Sequence, residues 1–386
     1  MSDSAQRAIV DILIVGGGLV GLSLAAALRA SPLRVALVDA QAPPPKPDKT
    51  LQARALVLNA GSVNYLKKLG VWSSLAGDAT PLRAVHLSKQ GCLVRTRFRA
   101  RDYDLDHFGH VIAADHLLYG MHHVVQSSKT LKIYHEKKIT SLQRSATGWD
   151  LVFEDASTLQ AKLIVAADGV DSFVRVSQGI AVEAITDEAQ ALMFNMLLAQ
   201  DHQGIAYERW TSDGSIALLP FGDKRVKGVW MVPKAQAQAL LSLSEVAFLA
   251  AVQDGFGYSL GLFQALSVVQ AMPLRRLQST TLYDHHLVLI GNAANTLHPI
   301  AAQGFNLGLR DVAALAKILS TASQEDLSVG AINLLQTYAV SRAMDHTHTR
   351  QWTECLAKTP GYQALGLWLA ECLEPFKQWI VEKNAG

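Results

Sequence analysis

Cysteine is scarce in this chain of 386 residues, and its scarcity excludes two ways of stabilising a fold. Cys92, Cys355 and Cys372 are odd in number and form no C-x-x-C pair, so neither a disulfide framework nor a zinc site is indicated. The first residues also lack the basic and apolar segments of a secretory signal peptide. We therefore expect no metal site and a reducing, cytoplasmic compartment.

The chain also lacks an excess of charge of either sign. Its 35 basic and 33 acidic residues give a formal net charge of +2, which provides no extended surface for nucleic acid. The basic segment at 95–101 alternates like an edge strand, and we interpret it as a solvated face. An apolar fraction of 49% with 18% charged residues is typical of a globular protein.

One apolar run, "ILIVGGGLVGLSLAAAL" at 12–28, has the composition of a membrane span but not its length. A span needs roughly 20 residues, and four glycines interrupt this run. The surrounding sequence instead indicates a β-branched strand, a helix of small residues and a second buried strand, "RVALVDA". We interpret the run as the first strand and helix of a βαβ unit.

The turn between that strand and helix carries the first motif. Gly16, Gly18 and Gly21 stand in the order G-x-G-x-x-G, and Asp39 ends the second strand. Gly16 would permit the tight turn, Gly18 the approach of a pyrophosphate, and Gly21 the packing of helix on strand. The unit therefore predicts a dinucleotide site with Asp39 at a ribose, and it leaves open whether NAD or FAD binds.

Two further buried strands end in motifs of a related kind. The segment "IVAADGVDSFVR" ends its strand at Asp168 and Gly169, and "HLVLIGNAAN" ends its strand at Gly291. A helix then begins in "GFNLGLRDVAALAKIL", and its first N–H groups face the preceding turn. No Ser, Cys or Lys occurs in the segment 291–311 to act as a nucleophile, so the segment indicates cofactor binding.

The remaining pattern predicts an α/β fold in which a second domain interrupts the nucleotide-binding domain. Helices are expected at 55–76, at 111–128, near 244–253 and from 306 onward, with short strands over most of 182–275. We assign the chain to three parts: a nucleotide-binding domain (1–82, 111–181 and 276–350), a mostly β substrate domain (83–110 and 182–275) and a C-terminal helical tail (351–386).

Taken in this order, the motifs make the chain resemble the flavoprotein aromatic hydroxylases, and within them the ubiquinone-biosynthesis branch. The segment "GNAANTLHPIAAQGFNLGLRD" carries most of the resemblance, aided by "AYERW" at 206–210 and "LLPF" at 218–221. The likeness covers about residues 8 to 350. It implies a Rossmann-like FAD-binding domain of the GR2 type and FAD as the cofactor.

The resemblance also implies roles for the positions that match the family's motifs. The three glycines and Asp39 would hold the ADP half of FAD, with a contact from Arg54. Asp168 and Gly169 would lie near the pyrophosphate and the nicotinamide donor. Gly291 and Asn292 would meet the pyrophosphate and the ribityl chain.

The flavin ring itself would lie against the following segment. His298 and Pro299 would border the ring, and four residues would present their backbone to its pyrimidine edge, namely Gln303, Gly304, Phe305 and Asn306. Two positions depart from the family pattern, because Asn292 stands where Asp is frequent and Ala302 where glycine is usual. An amide still bonds a ribityl hydroxyl without charge, so these departures concern affinity more than identity.

The implied activity is the hydroxylation of an aromatic ring through a flavin hydroperoxide. The resemblance implies a prenylated phenol in ubiquinone biosynthesis as substrate, with molecular oxygen and NAD(P)H as co-substrates. Because the reactive group belongs to the cofactor, the protein is expected to supply orientation, dryness and electrostatics. The resemblance also implies contacts with other ubiquinone-biosynthesis proteins and a peripheral position on the inner membrane.

Other functions and one segment stay open at this stage. A flavin halogenase would carry a W-x-W-x-I-P segment, which does not occur around Trp210 or Trp230. A flavin-dependent prenyl reductase would add no oxygen, and a non-catalytic flavin-binding scaffold would turn nothing over. The apolar residues of 361–386 recur at helical spacing around Pro375, which fits both a docking surface and packing into the core.

Overall fold

The computed structural model describes residues 9–48, 51–92, 95–128, 130–297 and 303–358. The first half of this described chain contains the following strands: β1 (Ile9–Val15), β2 (Val35–Val38), β3 (Ala55–Asn59), β4 (Thr80–Leu82), β5 (Ala84–Lys89), β6 (Arg95–Arg99), β7 (Gly109–Ala113), β8 (Leu131–Tyr134), β9 (Ile139–Ser145), β10 (Gly148–Phe153) and β11 (Thr158–Ala166). The second half contains these: β12 (Val182–Leu198), β13 (Ile205–Trp210), β14 (Ser215–Pro220), β15 (Arg225–Pro233), β16 (Phe263–Leu266), β17 (Gln270–Ser279), β18 (Tyr283–Asp284), β19 (Leu287–Leu289) and β20 (Asn295–Thr296).

Helices occur between and after these strands. They are α1 (Leu19–Leu28), α2 (Ala60–Lys68), α3 (Ala114–Gln126), α4 (Phe173–Ser177), α5 (Lys234–Leu241), α6 (Glu245–Phe256), α7 (Gly304–Gln324) and α8 (Ile332–Lys358). The apolar run at 12–28 is divided between β1 and α1. In the described part of the chain, no helix is both long and apolar enough to cross a bilayer.

An eight-stranded sheet forms the base of the molecule, and most of its neighbouring strands are parallel. Its order is β18-β19-β11-β1-β2-β8, with β10 and β9 continuing antiparallel from β11. Ile12 of β1 is in register with Val35 on one side and Leu163 on the other. Residues of β1 after Ile9 are buried, as expected of a parallel strand covered on both faces.

Helices cover one face of this sheet and build the largest apolar core. Leu24 of α1, Leu66 of α2, Leu117 of α3 and Leu315 of α7 pack there around Ile12, all fully buried. A separate core on the opposite face contains the side chains of β10, including a fully buried Leu151. The expected α/β fold, with a mostly parallel sheet as its base and helices at the C-terminal end, is thus present.

A nine-stranded sheet forms the second layer, in the order β20-β17-β12-β15-β14-β13-β5-β6, with β16 beside β12. Burial alternates along β15: Val226, Trp230 and Val232 are buried in a core that also contains Phe248 of α6. The intervening side chains face the other way. We call this second side the open face, and its central members are Lys227, Val229 and Met231 of β15, Glu208 and Trp210 of β13, Ser215, Ala217 and Leu219 of β14, and Ala191, Met193 and Asn195 of β12.

Three local predictions were wrong. Residues 55–59 form β3 rather than the start of a helix, because Asn59 caps α2 by accepting a hydrogen bond from Ser62 N at 2.8 Å. Residues 109–113 form β7, the antiparallel partner of β3, so α3 begins only at Ala114. The helix α5 was not expected. The proposed division of the chain into three parts stays a prediction.

The strand β3 has one paired edge and one free edge, and the free edge joins the two layers. Lys227 Nζ of the open face donates to Ala55 O at 2.8 Å, and Asn306 Nδ2 of α7 donates to Val57 O at 3.0 Å. Carbonyls two residues apart on a strand point to the same side and lie about 7 Å from each other. The open face and the first turn of α7 are therefore held side by side.

A buried carboxylate fixes the other end of this region. Asp311 of α7 accepts from Arg342 Nε at 2.8 Å and from His346 Nε2 at 2.7 Å, both on α8. Its other oxygen accepts from Gly291 N at 3.2 Å. Burial opposes the ionisation of Asp311, but His346 and Arg342 outweigh it and lower the pKa of Asp311. The network holds α7, α8 and the turn at Gly291 together, and Arg342 also forms an i,i+3 pair with Asp345.

The two carboxylates of this network differ in exposure, which predicts different costs of removing them. The Asp311 side chain is 1% exposed, and its loss would leave Arg342, 8% exposed, without its buried partner. We expect Asp311→Ala to lower the free energy of unfolding by about 3–5 kcal/mol. Asp345→Ala, at a side chain 30% exposed, should cost about 1 kcal/mol or less. Urea unfolding followed by circular dichroism measures both, and equal costs would contradict the assigned role of Asp311.

Candidate cofactor site

The sheet order brings the three sequence motifs to one edge. The strands β19, β11, β1 and β2 are consecutive neighbours and all parallel, so their carboxyl ends meet. Gly291 follows β19, Asp168 follows β11, Gly16 follows β1 and Asp39 follows β2. In open α/β sheets, ligands bind outside the carboxyl ends of the strands. The predicted site residues of these motifs therefore lie close together, at the carboxyl edge of the eight-stranded sheet.

The glycine turn after β1 has the space that a phosphate needs. Gly16 adopts φ +107°, and a Cβ on Gly21 would lie 1.9 Å from the carbonyl oxygen of Gly16. A Cβ on Gly18 would meet nothing within 4 Å, so that side of the turn is open. The Asp39 carboxylate closes the turn from β2, accepting from Gly17 N at 2.8 Å. Asp39 thus positions the turn in addition to any contact it makes with a ribose.

The helix that follows this turn begins without a side-chain cap. Gly18 occupies the N-cap position of α1 and, being glycine, offers no side chain to accept from the first N–H groups. The helices α3 and α5 also begin without a side-chain cap, whereas Asn59 and Ser244 cap α2 and α6 with their side chains. The unfilled N–H groups and the helix dipole favour an anion at this position.

The second motif contributes a buried carboxyl group. Asp168 Oδ2 accepts from Val174 N at 3.1 Å, whereas Oδ1 is buried and has no partner in the described chain. Burial raises the pKa of Asp168, against smaller opposing effects of the Ser172 hydroxyl and the Val174 N–H. Gly169 follows with φ +88° and open space around it. The free oxygen is an acceptor for a ligand hydroxyl.

Arg175, which the sequence placed in this motif without a role, joins the second motif to the third. Its guanidinium donates to Val170 O at 2.8 Å and to Ala293 O at 2.9 Å, and the residue is 4% exposed. The turn at Gly291 lies against α1, because a Cβ on Gly291 would be 3.0 Å from Val20. Asn292 is exposed, and its Oδ1 lies 4.0 Å from where Gly304 would carry a Cβ.

Gln303 to Asn306, whose backbone was predicted to meet the pyrimidine edge of the flavin, form the start of α7. Gln303 holds the N-cap position without capping the helix, and its buried Oε1 has no partner within the described residues. Gly304 and Phe305 are half-buried. The side chain of Asn306 is already engaged, because its Oδ1 accepts from Ser62 Oγ at 2.7 Å and from Asn59 N at 3.1 Å. Asn306 therefore offers only backbone to a ligand.

One predicted residue lies apart from these strand ends, and two fall outside the described residues. Arg54 is exposed, its backbone carbonyl accepts from Ala114 N at 2.7 Å, and it lies near Lys227 on the open-face side. His298 and Pro299 lie outside the described residues, as does Ala302. Their assignment to the flavin ring stays a prediction.

Two polar residues of the open face were missed by the sequence reasoning. Asn195 Nδ2 donates to Ala53 O at 2.7 Å and also to Leu51 O, next to the Lys227 contact with β3. Burial lowers the pKa of Lys227 to about 8, and the positive charge of Arg54 adds to this effect. A lone lysine among alternating apolar residues in "VKGVWMV" was the available signal.

The donor and acceptor set fits FAD. Unfilled N–H groups at α1 and open space at Gly18 suit a pyrophosphate, and the free oxygen of Asp168 suits a hydroxyl. The unpaired acceptor of Gln303, buried at the start of a second uncapped helix, suits an N–H of the flavin ring. Bound here, the ring edge would face the partial positive charge of α7, which favours an anion by roughly 0.3–1 kcal/mol, or ~2 when partly buried.

Comparison with known proteins gives the same result. The family model described as FAD binding domain matches residues 9–353. Ubiquinone hydroxylase UbiL of Rhodospirillum rubrum is 28% identical over 100% of this chain and 91% of its own length. The 3-demethoxyubiquinol 3-hydroxylase of Escherichia coli is 28% identical over 87% of this chain and 86% of its own. Both alignments cover more than four fifths of this chain and of the relative.

A solved structure shares the fold at lower identity. PqsL of P. aeruginosa, in complex with 2-aminobenzoylacetate, superposes with a TM-score of 0.78 at 21% identity. The match covers 90% of this chain and 96% of PqsL. At that identity the comparison supports the architecture alone.

The open space at Gly18 makes a direct test of the cofactor site. Gly18→Val puts a side chain where nothing in the protein lies within 4 Å, on extended backbone that any residue adopts. We expect the protein to fold and to lose most of its bound FAD, measured as flavin absorbance per chain. Gly77→Val, at an equally open and exposed glycine outside the turn, should keep its FAD. Gly21→Val should instead fail to fold, and full flavin in Gly18→Val would refute the assignment of the turn.

Proposed function

Because the chain belongs to the FAD binding domain family, we propose that it is an FAD-dependent monooxygenase that hydroxylates the aromatic ring of a prenylated phenol in ubiquinone biosynthesis. The observation that carries this proposal is the meeting of the three motifs at the carboxyl ends of β19, β11, β1 and β2. The hydroxylase names of the R. rubrum and E. coli relatives support the choice of reaction and substrate.

In this reaction FAD supplies the redox chemistry, accepting electrons from NAD(P)H and activating molecular oxygen for transfer to the ring. The protein binds the cofactor through the glycine turn, Asp39, Asp168 and the start of α7. The unfilled N–H groups of α7 favour negative charge on the ring edge beside them. Because the reactive group belongs to the cofactor, we expect no side chain to act as a nucleophile, and the loss of one residue should slow turnover without abolishing it.

The open face supplies the surface for the aromatic ring. Val229, Met231, Met193 and Ala217 make it largely apolar, and all four are half-buried rather than covered by the core. It lies next to α7 because Lys227 and Asn306 contact the same edge of β3. An apolar surface excludes water and holds a ring by contact area, which suits a phenol with a hydrocarbon tail.

The labelled product identifies the reaction. The purified holoprotein, given NAD(P)H, a phenol with a short prenyl chain and oxygen-18 gas, should form a product that carries one labelled oxygen on the ring. A product with two added hydrogens and no label would identify a prenyl reductase instead. Consumption of neither NAD(P)H nor phenol, with FAD bound, would identify a flavin-binding scaffold. Mass spectrometry of the product distinguishes these results.

We further propose that the protein works in the cytoplasm, peripherally on the inner membrane and beside other ubiquinone-biosynthesis proteins. Each buried methylene of a prenyl tail contributes about 0.8 kcal/mol, so the substrate stays in lipid or in an apolar groove until it is bound. The segment 361–386 provides apolar residues at helical spacing for such a contact, namely Leu365, Leu369, Leu373, Phe376, Trp379 and Ile380. The segment lies outside the described residues.

Deleting 361–386 tests this membrane proposal. We expect FAD content and turnover of a short-chain phenol to stay within about twofold, because the described site residues all precede the segment. Binding to anionic liposomes and turnover of a long-chain substrate should fall. Loss of flavin or precipitation of the shortened protein would show that the segment packs as core.

A further inference from the structure

Glu208 is the only acidic side chain among the central members of the open face. It lies on β13, and its strand neighbours in register are Leu87 of β5 and Ala217 of β14. The same row continues to Val229 of β15 and Met193 of β12. A single carboxyl group thus stands in a row of apolar side chains.

No salt bridge reaches Glu208 from the described residues. The basic residues Arg95, Arg97 and Arg209 belong to the other side of this sheet, because they share a register with Ser88 and His86 rather than with Leu87. On the open face the nearest basic residues are Lys89, exposed and opposite Trp210, and Lys227, two strands away. Tyr103, in the segment that follows β6, contacts an apolar cluster that includes Leu87 and Phe108. Burial raises the pKa of Glu208 to about 7, and the Ser215 hydroxyl offsets this only in part.

The position of Glu208 relative to the cofactor site follows from the sheet. Two strand spacings and one two-residue step separate its Cα from that of Lys227, about 12 Å. Lys227 in turn shares the free edge of β3 with Asn306 of α7. The path along the open face from Glu208 to Lys227 crosses the apolar side chains of Ala217 and Val229.

We infer that Glu208 binds the phenolic hydroxyl of the substrate and acts as its general base. This inference rests on the proposed hydroxylase function. The O–H bond of the phenol breaks, a new O–H bond forms at the Glu208 carboxylate, and the electron pair stays on the phenolic oxygen. The ring becomes a phenolate, which is more electron-rich and therefore more reactive toward an electrophilic oxygen. A base with a pKa near the working pH suits this transfer.

Binding to the oxidised holoprotein tests the inference without turnover. The probe is a phenol with one five-carbon prenyl group, neutral between about pH 5.5 and 8.5, and flavin absorbance reports its binding. The carboxylate accepts a stronger hydrogen bond than the carboxylic acid. We therefore expect the affinity for the probe to rise roughly tenfold as pH rises through about 7. This gain in affinity should be lost as pH falls below about 7. Glu208→Gln should abolish this step, whereas Glu154→Gln, at an exposed turn, should keep it.

Turnover supplies the second measurement. Glu208→Gln should lower kcat for this phenol about 100-fold at pH 8 while retaining its FAD and its reduction by NAD(P)H. A fluorinated phenol that is already ionised in solution should reduce this defect to a few-fold, because it needs no base. Glu208→Asp keeps a carboxyl group and should retain the pH step with a lower rate. A merely structural role would slow both phenols equally.

The outcomes separate the inference from the function on which it rests. Hydroxylation with identical pH profiles in the wild type and Glu208→Gln overturns the role of Glu208 and leaves the function standing. A pH step in binding that depends on Glu208, without any hydroxylation, supports the role and overturns the function. If Glu208→Gln loses its flavin, Glu208→Asp decides, because a flat binding profile in that variant and the wild type overturns the role.

Discussion

The free edge of β3 is the constraint that relates the two layers of this molecule. An unpaired strand edge presents carbonyl groups that are costly to bury without a donor. Here Lys227 satisfies Ala55 O from the nine-stranded sheet, and Asn306 satisfies Val57 O from α7. Each bond removes a buried unsatisfied group and also fixes a position. The open face and the first turn of α7 are thereby held next to each other.

Several polar groups around the proposed cofactor site have no partner among the described residues. Capping a helix stabilises it by about 1 kcal/mol, yet α1 and α7 begin without a side-chain cap, as α3 and α5 do, whereas α2 has one. The buried oxygens of Asp168 and Gln303 are likewise unpaired in the described chain. A bound dinucleotide would supply these missing partners. The buried pair of Asp311 and Arg342 holds α7 and α8 together without a contribution from these unpaired groups.

The sequence predicted the parts of the site that follow from local spacing. The three motifs each follow a buried strand, and glycine order and strand length are visible without a structure. The strand β3 was missed because its partner β7 lies some fifty residues away, and Leu56, Leu58 and Val63 fit a helix as well as a strand. The contacts of Lys227 and Asn306 with β3 depend on which strand edge is free. That property exists only after the sheets have formed.

Glu208 shows the same limit in its sharpest form. The segment "AYERW" served as a mark of family likeness, and its alternation does not say which side chains face the core. Register decides: Tyr207 packs in the core that contains Phe248, so Glu208 and Trp210 point to the open face. A lysine or arginine in place of Leu87 or Ala217 would pair with the carboxylate and return its pKa toward the ordinary range. The proposed basicity of Glu208 therefore depends on its apolar neighbours as well as on its carboxyl group. Neither the glutamate nor its neighbours indicate this role alone.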